Sequence, residues 1–76
     1  MKLPRYKCHK EVSALKIGRI DGNTIWPEDG AYDPFNVSAE YLTKHNPQPG
    51  GYWVQYDDTY ESFSPAKAFE DGYTRI

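Results

Sequence analysis

The chain has 76 residues, 38% hydrophobic and 26% charged, with an aromatic fraction of 16% dominated by seven tyrosines. That length makes one domain, residues 1–76, near the lower limit for an independent core. A fold of this size buries only about 60% of its unfolded surface, so a partner or second copy often supplements it. A net charge of −2 argues against nucleic acid as partner, because a phosphate-tracking surface needs clustered Lys and Arg. No window approaches the roughly 20 apolar residues of a membrane span.

Residues 1–10 read as a polar lead-in without the apolar run of a signal peptide. Its basic residues Lys2, Arg5, Lys7 and Lys10, with His9 among them, have the composition of a solvated arm. The single Cys excludes an internal disulfide, and a reducing cytoplasm is the natural setting. Glu11 to Ile20 fits both an alternating and a helical pattern. The Asp21-Gly22-Asn23 turn and the β-prone Thr24-Ile25-Trp26 favour a hairpin. Gly18 is placed as a bulge that returns Ile20 to the face of Leu15 and Ile17. Pro27 ends the second strand or marks it as an edge.

Glu28 to Asn36 has the composition of a loop. Val37 to His45 reads as a short helix with both ends specified: Ser38 as N-cap, Glu40 in the first turn, Lys44 and His45 in the last. Val37 and Leu42 fit a hydrophobic staple, Asn46 the left-handed residue after the helix, and Pro47 stops it. Residues 47–51 are punctuation. Tyr52 to Phe63 forms the clearest strand pair. With Asp58-Thr59 as a two-residue loop, Val54 faces Phe63, Tyr56 faces Glu61, and Trp53, Gln55 and Asp57 take the other face. Thr59 suits a primed turn poorly, since positive φ is needed there, and a longer loop stays open. Ser64 to Gly72 repeats the helix grammar, with Ser64 as N-cap, Pro65 at N1, Gly72 just past the end, and Phe63 with Ala68 as a second staple. Tyr73 to Ile76 closes as a short strand. The expected fold is α+β: a small, mostly antiparallel sheet of four to five strands with two short helices.

Catalytic machinery finds little support. A structural zinc site needs four ligands, and the chain has one Cys and two His. Cys8 as a nucleophile lacks a base and an orienting partner, since His9 would point away from it on a strand. The acidic residues Asp57, Asp58, Glu61, Glu70 and Asp71 could pair for glycoside chemistry, but so short a chain scarcely builds the cleft. They read as a solubilising rim. Gly50-Gly51 lacks the surrounding Walker pattern. No catalytic, cofactor or metal-binding residue is therefore assigned, and the chain is read as a non-enzyme. The aromatic residues remain. Trp26, Trp53, Tyr56, Tyr60 and Tyr73 form the candidate binding surface, because an aromatic left outside a small sheet anchors a partner or a planar ligand. Trp53 lies opposite Val54, so one face stays partly exposed unless helices cover both; the alternative puts Trp53 under the loop of residues 28–36. The strand ending at Pro27 and the strand Tyr73–Ile76 are the expected edges, with Trp26 and Tyr73 as anchors of a homodimer.

In Lys7-Cys8-His9-Lys10, Ile25-Trp26-Pro27-Glu28-Asp29, Pro34-Phe35-Asn36-Val37 and the whole segment from Gly50 to Ile76, the chain resembles a group of small proteins encoded by tailed phages and prophages. The resemblance spans nearly the whole chain and is strongest in its C-terminal part. Such relatives usually carry Asp-Gly where this chain has Asp58-Thr59. It implies a phage origin and expression in the cytoplasm of a bacterial host. The group has no established activity, so no functional residue carries over. The expected function is that of a non-catalytic accessory protein that binds a host or phage protein or a copy of itself. One alternative is a binder of a planar small molecule such as a nucleotide, stacked on Tyr and Trp; another is a minor virion or assembly component.

Overall fold

A computed structural model describes residues 3–8 and 11–76. In chain order the elements are β1 (Arg5–Lys7), β2 (Glu11–Asp21), β3 (Thr24–Pro27), β4 (Phe35–Asn36), α1 (Ala39–His45), β5 (Tyr52–Gln55), β6 (Glu61–Ser64), α2 (Ala66–Gly72) and β7 (Thr74–Arg75). The result is a small α+β fold whose strand pairings are all antiparallel. Seven strands are present among the described residues rather than four or five. The two additional ones, β1 and β4, are short pairings of three and two residues, too brief to leave a hydrophobic period.

The long strand β2 organises the sheet. Ser13 faces Arg5 of β1 on one side and Gln55 of β5 on the other. From Ile17 onward β2 pairs with β3, and β3 in turn carries β4. Gly18 is the bulge: the register against β3 shifts between Ile17 and Arg19. A Cβ at Gly18 would stand 3.0 Å from the Glu28 Cα, so the close backbone approach requires glycine. The extra residue returns Ile20 to the face of Leu15 and Ile17, as the sequence pattern implies. Gly22 takes φ of 60° as the first of two loop residues, the requirement of a type II′ turn.

The sheet is buried on both faces, which the alternation of β2 makes possible. Leu15 and Ile17 join Ile25, Val37, Tyr41 and Trp53 on the α1 side. Val12 and Ala14 join Tyr52, Val54 and Phe69 on the α2 side. Val12, Ile17, Ile25 and Phe69 are essentially solvent-free, and each such side chain contributes about 1.5–3 kcal/mol of burial.

Helix α1 keeps its expected grammar. The Ser38 hydroxyl accepts the Tyr41 N–H at 3.0 Å, and Asn46 turns left-handed at φ of 44°. Helix α2 does not. Pro65, not Ser64, occupies the N-cap, without a side-chain cap bond, because Ser64 belongs to β6 and its hydroxyl turns to the Pro65 carbonyl. Gly72 stays inside the helix, and the chain leaves through Tyr73 in an extended conformation. The second staple is absent: Ala68 is exposed and Phe63 packs on the other side of the sheet.

Three further expectations are corrected. The N-terminal lead-in contains β1, a strand held between β2 and β7; Lys2, His9 and Lys10 lie outside the described residues. β3 is not an outer strand, since Phe35 and Asn36 pair with Ile25 and Thr24. The β5–β6 register places Trp53 opposite Phe63 and Gln55 opposite Glu61, one residue away from the two-residue loop. The loop has three residues: Thr59 N–H bonds the Tyr56 carbonyl, Tyr56 N–H bonds the Tyr60 carbonyl, and Thr59 takes φ of 70°. A turn followed by one left-handed residue is the usual three-residue hairpin, with Thr where Gly is preferred.

Candidate functional site

The corrected hairpin positions the site. Its loop holds Tyr56 and Tyr60 opposite each other across one backbone bond, with ring centroids 6.0 Å apart and planes 21° from parallel. Tyr73 arrives from the end of α2, fixed by stacking on Phe69 at 4.5 Å. Phe69 is held in turn by Tyr52 at 4.2 Å and by the edge of Tyr6 at 4.8 Å. A buried aromatic stack thus carries Tyr73 from the core to the surface. Together with Glu11, Asp57 and Asp58, the three tyrosines line a cleft of about 360 Å³.

The charges of this cleft are partly committed. Asp57 accepts from the Arg5 guanidinium at 3.1 Å. Asp58 accepts the Tyr60 N–H at 3.1 Å, which stabilises the loop itself. Glu11 stands across the β1–β2 pairing from Lys7. Burial pushes the Tyr73 hydroxyl up, with Tyr56 and Cys8 nearby adding to the effect. It therefore stays protonated at neutral pH. The cleft offers ring faces, phenol hydroxyls and carboxylates on a surface of partly exposed aromatics.

Three of the five sequence-predicted residues, Tyr56, Tyr60 and Tyr73, meet here. Trp26 does not line the cleft. It is 39% exposed on β3, and the Arg19 guanidinium lies 4.4 Å from its ring. Trp53 is not a surface residue at all. It is 5% exposed, its indole N–H donates to Glu61 at 3.0 Å, and its ring meets the edge of Phe35 at 4.8 Å. Covering of both sheet faces, with the segment Tyr32–Phe35 over Trp53, removes it from the working surface.

That covering leaves a second, apolar cleft of about 350 Å³ among Leu3, Leu15, Tyr32, Asp33, Pro34, Phe35 and Trp53. Sequence reasoning missed Tyr32 and Phe35 as its walls. Two aromatics within a loop otherwise rich in Asp, Gly and Pro were the available signal. A third cleft, of about 290 Å³, lies between α1 and the hairpin loop. There the Tyr60 hydroxyl is 3.4 Å from His45 Nε2 and the Lys44 ammonium is 5.2 Å from the Tyr60 ring.

On the α2 side, Glu70 accepts from the Tyr52 hydroxyl at 2.8 Å and from Lys16 at 3.4 Å. Those donors hold its carboxyl below the usual carboxylate range. This is a structural brace that ties α2 to β2 and β5. No helix among the described residues is long and apolar enough to cross a membrane. No family model, no curated protein and no solved structure matches the chain.

Proposed function

We propose that this chain is a non-catalytic, phage-encoded accessory protein that acts by binding another protein in the cytoplasm of a bacterial host. The observation that carries this reading is the convergence of Tyr56, Tyr60 and Tyr73 on one cleft beside Asp57 and Asp58. Tyrosine gives large contact area and a hydrogen-bonding tip at low entropic cost, and is enriched at protein interfaces. The flanking carboxylates favour a partner surface with basic residues at its rim. Self-association is part of the same proposal, with the outer strand β7 and Tyr73 as the contact. Sedimentation at low and high salt tests it, and a monomer at all concentrations removes it.

The partner reading is tested by affinity purification from phage-infected bacteria, with the natural chain and a Tyr60→Ala/Tyr73→Ala variant side by side. A protein retained by the natural chain and lost by the folded variant supports the cleft. Equal retention by both places the contact elsewhere.

The apolar cleft over Trp53 favours a second reading, a small planar molecule held against Tyr32 and Phe35 at the mouth of the cleft. Native mass spectrometry of the purified chain decides it by the mass of a retained ligand. Loss of that ligand on Phe35→Ala would assign it to this cleft.

A further inference from the structure

Strand β6 is bonded along one side only; among the described residues its strand partner is β5. The bond from Tyr56 N–H to the Tyr60 carbonyl sets the parity of the hairpin. Tyr60, Ser62 and Ser64 turn their main-chain groups toward β5, and Glu61 and Phe63 turn theirs outward. Among the described residues the outward row meets no opposing strand. Open edges are commonly guarded by exposed charge or proline. Here the one charged side chain on the strand, Glu61, is turned inward to the Trp53 indole.

Helix α1 stands over this strand, tied by the Tyr41 hydroxyl to the Ser62 carbonyl at 2.7 Å. The 290 Å³ cleft lies between the helix and the start of β6, with Glu40, Tyr41, Lys44, His45, Tyr60 and Glu61 in its walls. Strand edge and helix together make a slot. An added strand would bond Glu61 and Phe63, and every second side chain on its α1 face would pass the cleft. We infer that β6 and α1 form a receptor for an extended segment of a partner protein, which joins the sheet as a further strand.

Main-chain bonding supplies the affinity in this mode, and the cleft supplies the selection. Lys44 stands against Glu40, the Glu61 carboxylate is held by the Trp53 indole N–H, and ring surface with the His45 imidazole makes up the remainder. That lining suits a large neutral side chain with a polar end over a charged one. A second copy of this chain fits poorly. Paired strands lie about 4.8 Å apart, whereas packed helices need about 8–10 Å. Two copies joined through β6 would bring both α1 helices to the same face, each anchored over its own strand. A bare extended segment carries no such helix. The site is separate from the tyrosine cleft, although Tyr60 borders both.

The test uses the full chain, made by chemical synthesis in its natural form and with an N-methyl group on Phe63. A displayed library of random short peptides is selected on the natural form. Recovered peptides are then followed by nitrogen–proton correlation spectra and amide hydrogen exchange. Peptides that bind the slot shift the amides of Glu61 and Phe63 and slow their exchange at least about tenfold, as an added hydrogen bond requires. N-methylation lowers their affinity about tenfold and leaves the melting temperature unchanged, because that N–H faces away from β5. Tyr73→Ala leaves their binding intact, which separates this site from the proposed tyrosine surface. Recovery of no peptide, shifts confined to the tyrosine cleft, or full affinity after N-methylation overturns the inference. Exchange at Glu61 and Phe63 that slows as the free chain is concentrated also overturns it, by placing a second copy on the edge.

Discussion

Replacing Phe69 with alanine tests whether the aromatic stack behind Tyr73 holds the small domain together. The ring is 1% exposed and meets three others, Tyr52 at 4.2 Å, Tyr73 at 4.5 Å and Tyr6 at 4.8 Å. Truncation of a buried Phe costs about 3–5 kcal/mol, through lost transfer energy and the cavity left behind. The stacked contacts place Phe69→Ala toward the upper end of that range, since each aromatic pair adds about 0.5–1.5 kcal/mol beyond burial. A domain of this length has about 4–11 kcal/mol of stability in all. The melting temperature should therefore fall by roughly 20–30 °C, or the chain should be unfolded at the outset. Thermal and urea unfolding followed by circular dichroism measures the loss. Phe69→Leu, which keeps an apolar side chain and loses the three ring contacts, should cost less than Phe69→Ala but at least about 1.5 kcal/mol. A fall of one or two degrees for Phe69→Ala would show that the stack does not hold the fold, and would refute the reasoning.

Thr59→Gly should stabilise the hairpin, because a left-handed β-branched residue costs about 1–2 kcal/mol and glycine returns part of that as backbone entropy. The expected gain is about 0.5–1 kcal/mol, a rise of roughly 3–6 °C in melting temperature; a decrease would contradict the three-residue loop. Gly51→Ala should cost about 1–3 kcal/mol in urea unfolding, since its Cβ would enter the Phe63 ring and stand 2.9 Å from the Ser64 carbonyl. A neutral effect would show that Phe63 can move aside. At high pH the hydroxyls of Tyr41 and Tyr52 are pushed above their ordinary 10.0, chiefly by burial. The folded state thus binds their protons more tightly than the unfolded state. Their contribution is complete below about 10 and is lost as the pH rises from there toward the folded values. Ultraviolet titration should show the Tyr41 and Tyr52 phenols ionising late, together with the loss of ellipticity. All seven tyrosines titrating together near 10, with the fold intact, would exclude the buried hydroxyls.

Features held by near neighbours were legible in the residues alone. The Ser38 cap and the Asn46 turn around α1 depend on a few adjacent backbone groups. The bulge at Gly18 could be read because Leu15, Ile17 and Ile20 break a period of two by one residue. The α2 cap failed for a reason that is not local: Ser64 had a competing place in β6 opposite Tyr52, and sheet pairing outweighed the cap. β1 was missed because Arg5-Tyr6-Lys7 carries one apolar residue, and its pairing with β2 and β7 is a property of distant partners.

For the site, the residue types were evident and their placement was not. Tyr56, Tyr60 and Tyr73 stood out as large aromatics near turns, and aromatic enrichment is local information. Their meeting depended on a one-residue register in β5–β6, which exchanges the faces of every side chain on a strand. Trp53 is the clearest division between the two kinds of information. Its place on a strand follows from the alternating pattern around it. Its burial follows from the segment Tyr32–Phe35 returning over the sheet, a contact some twenty residues away in the chain that no local preference encodes. The sequence alone determined the ends of α1 and the extended runs of β2, β3, β5, β6 and β7, because those choices rest on adjacent backbone groups, whereas β1 and β4 exist only through distant pairing partners. The tertiary structure decided which aromatics became core and which became surface, because burial depends on what covers each face.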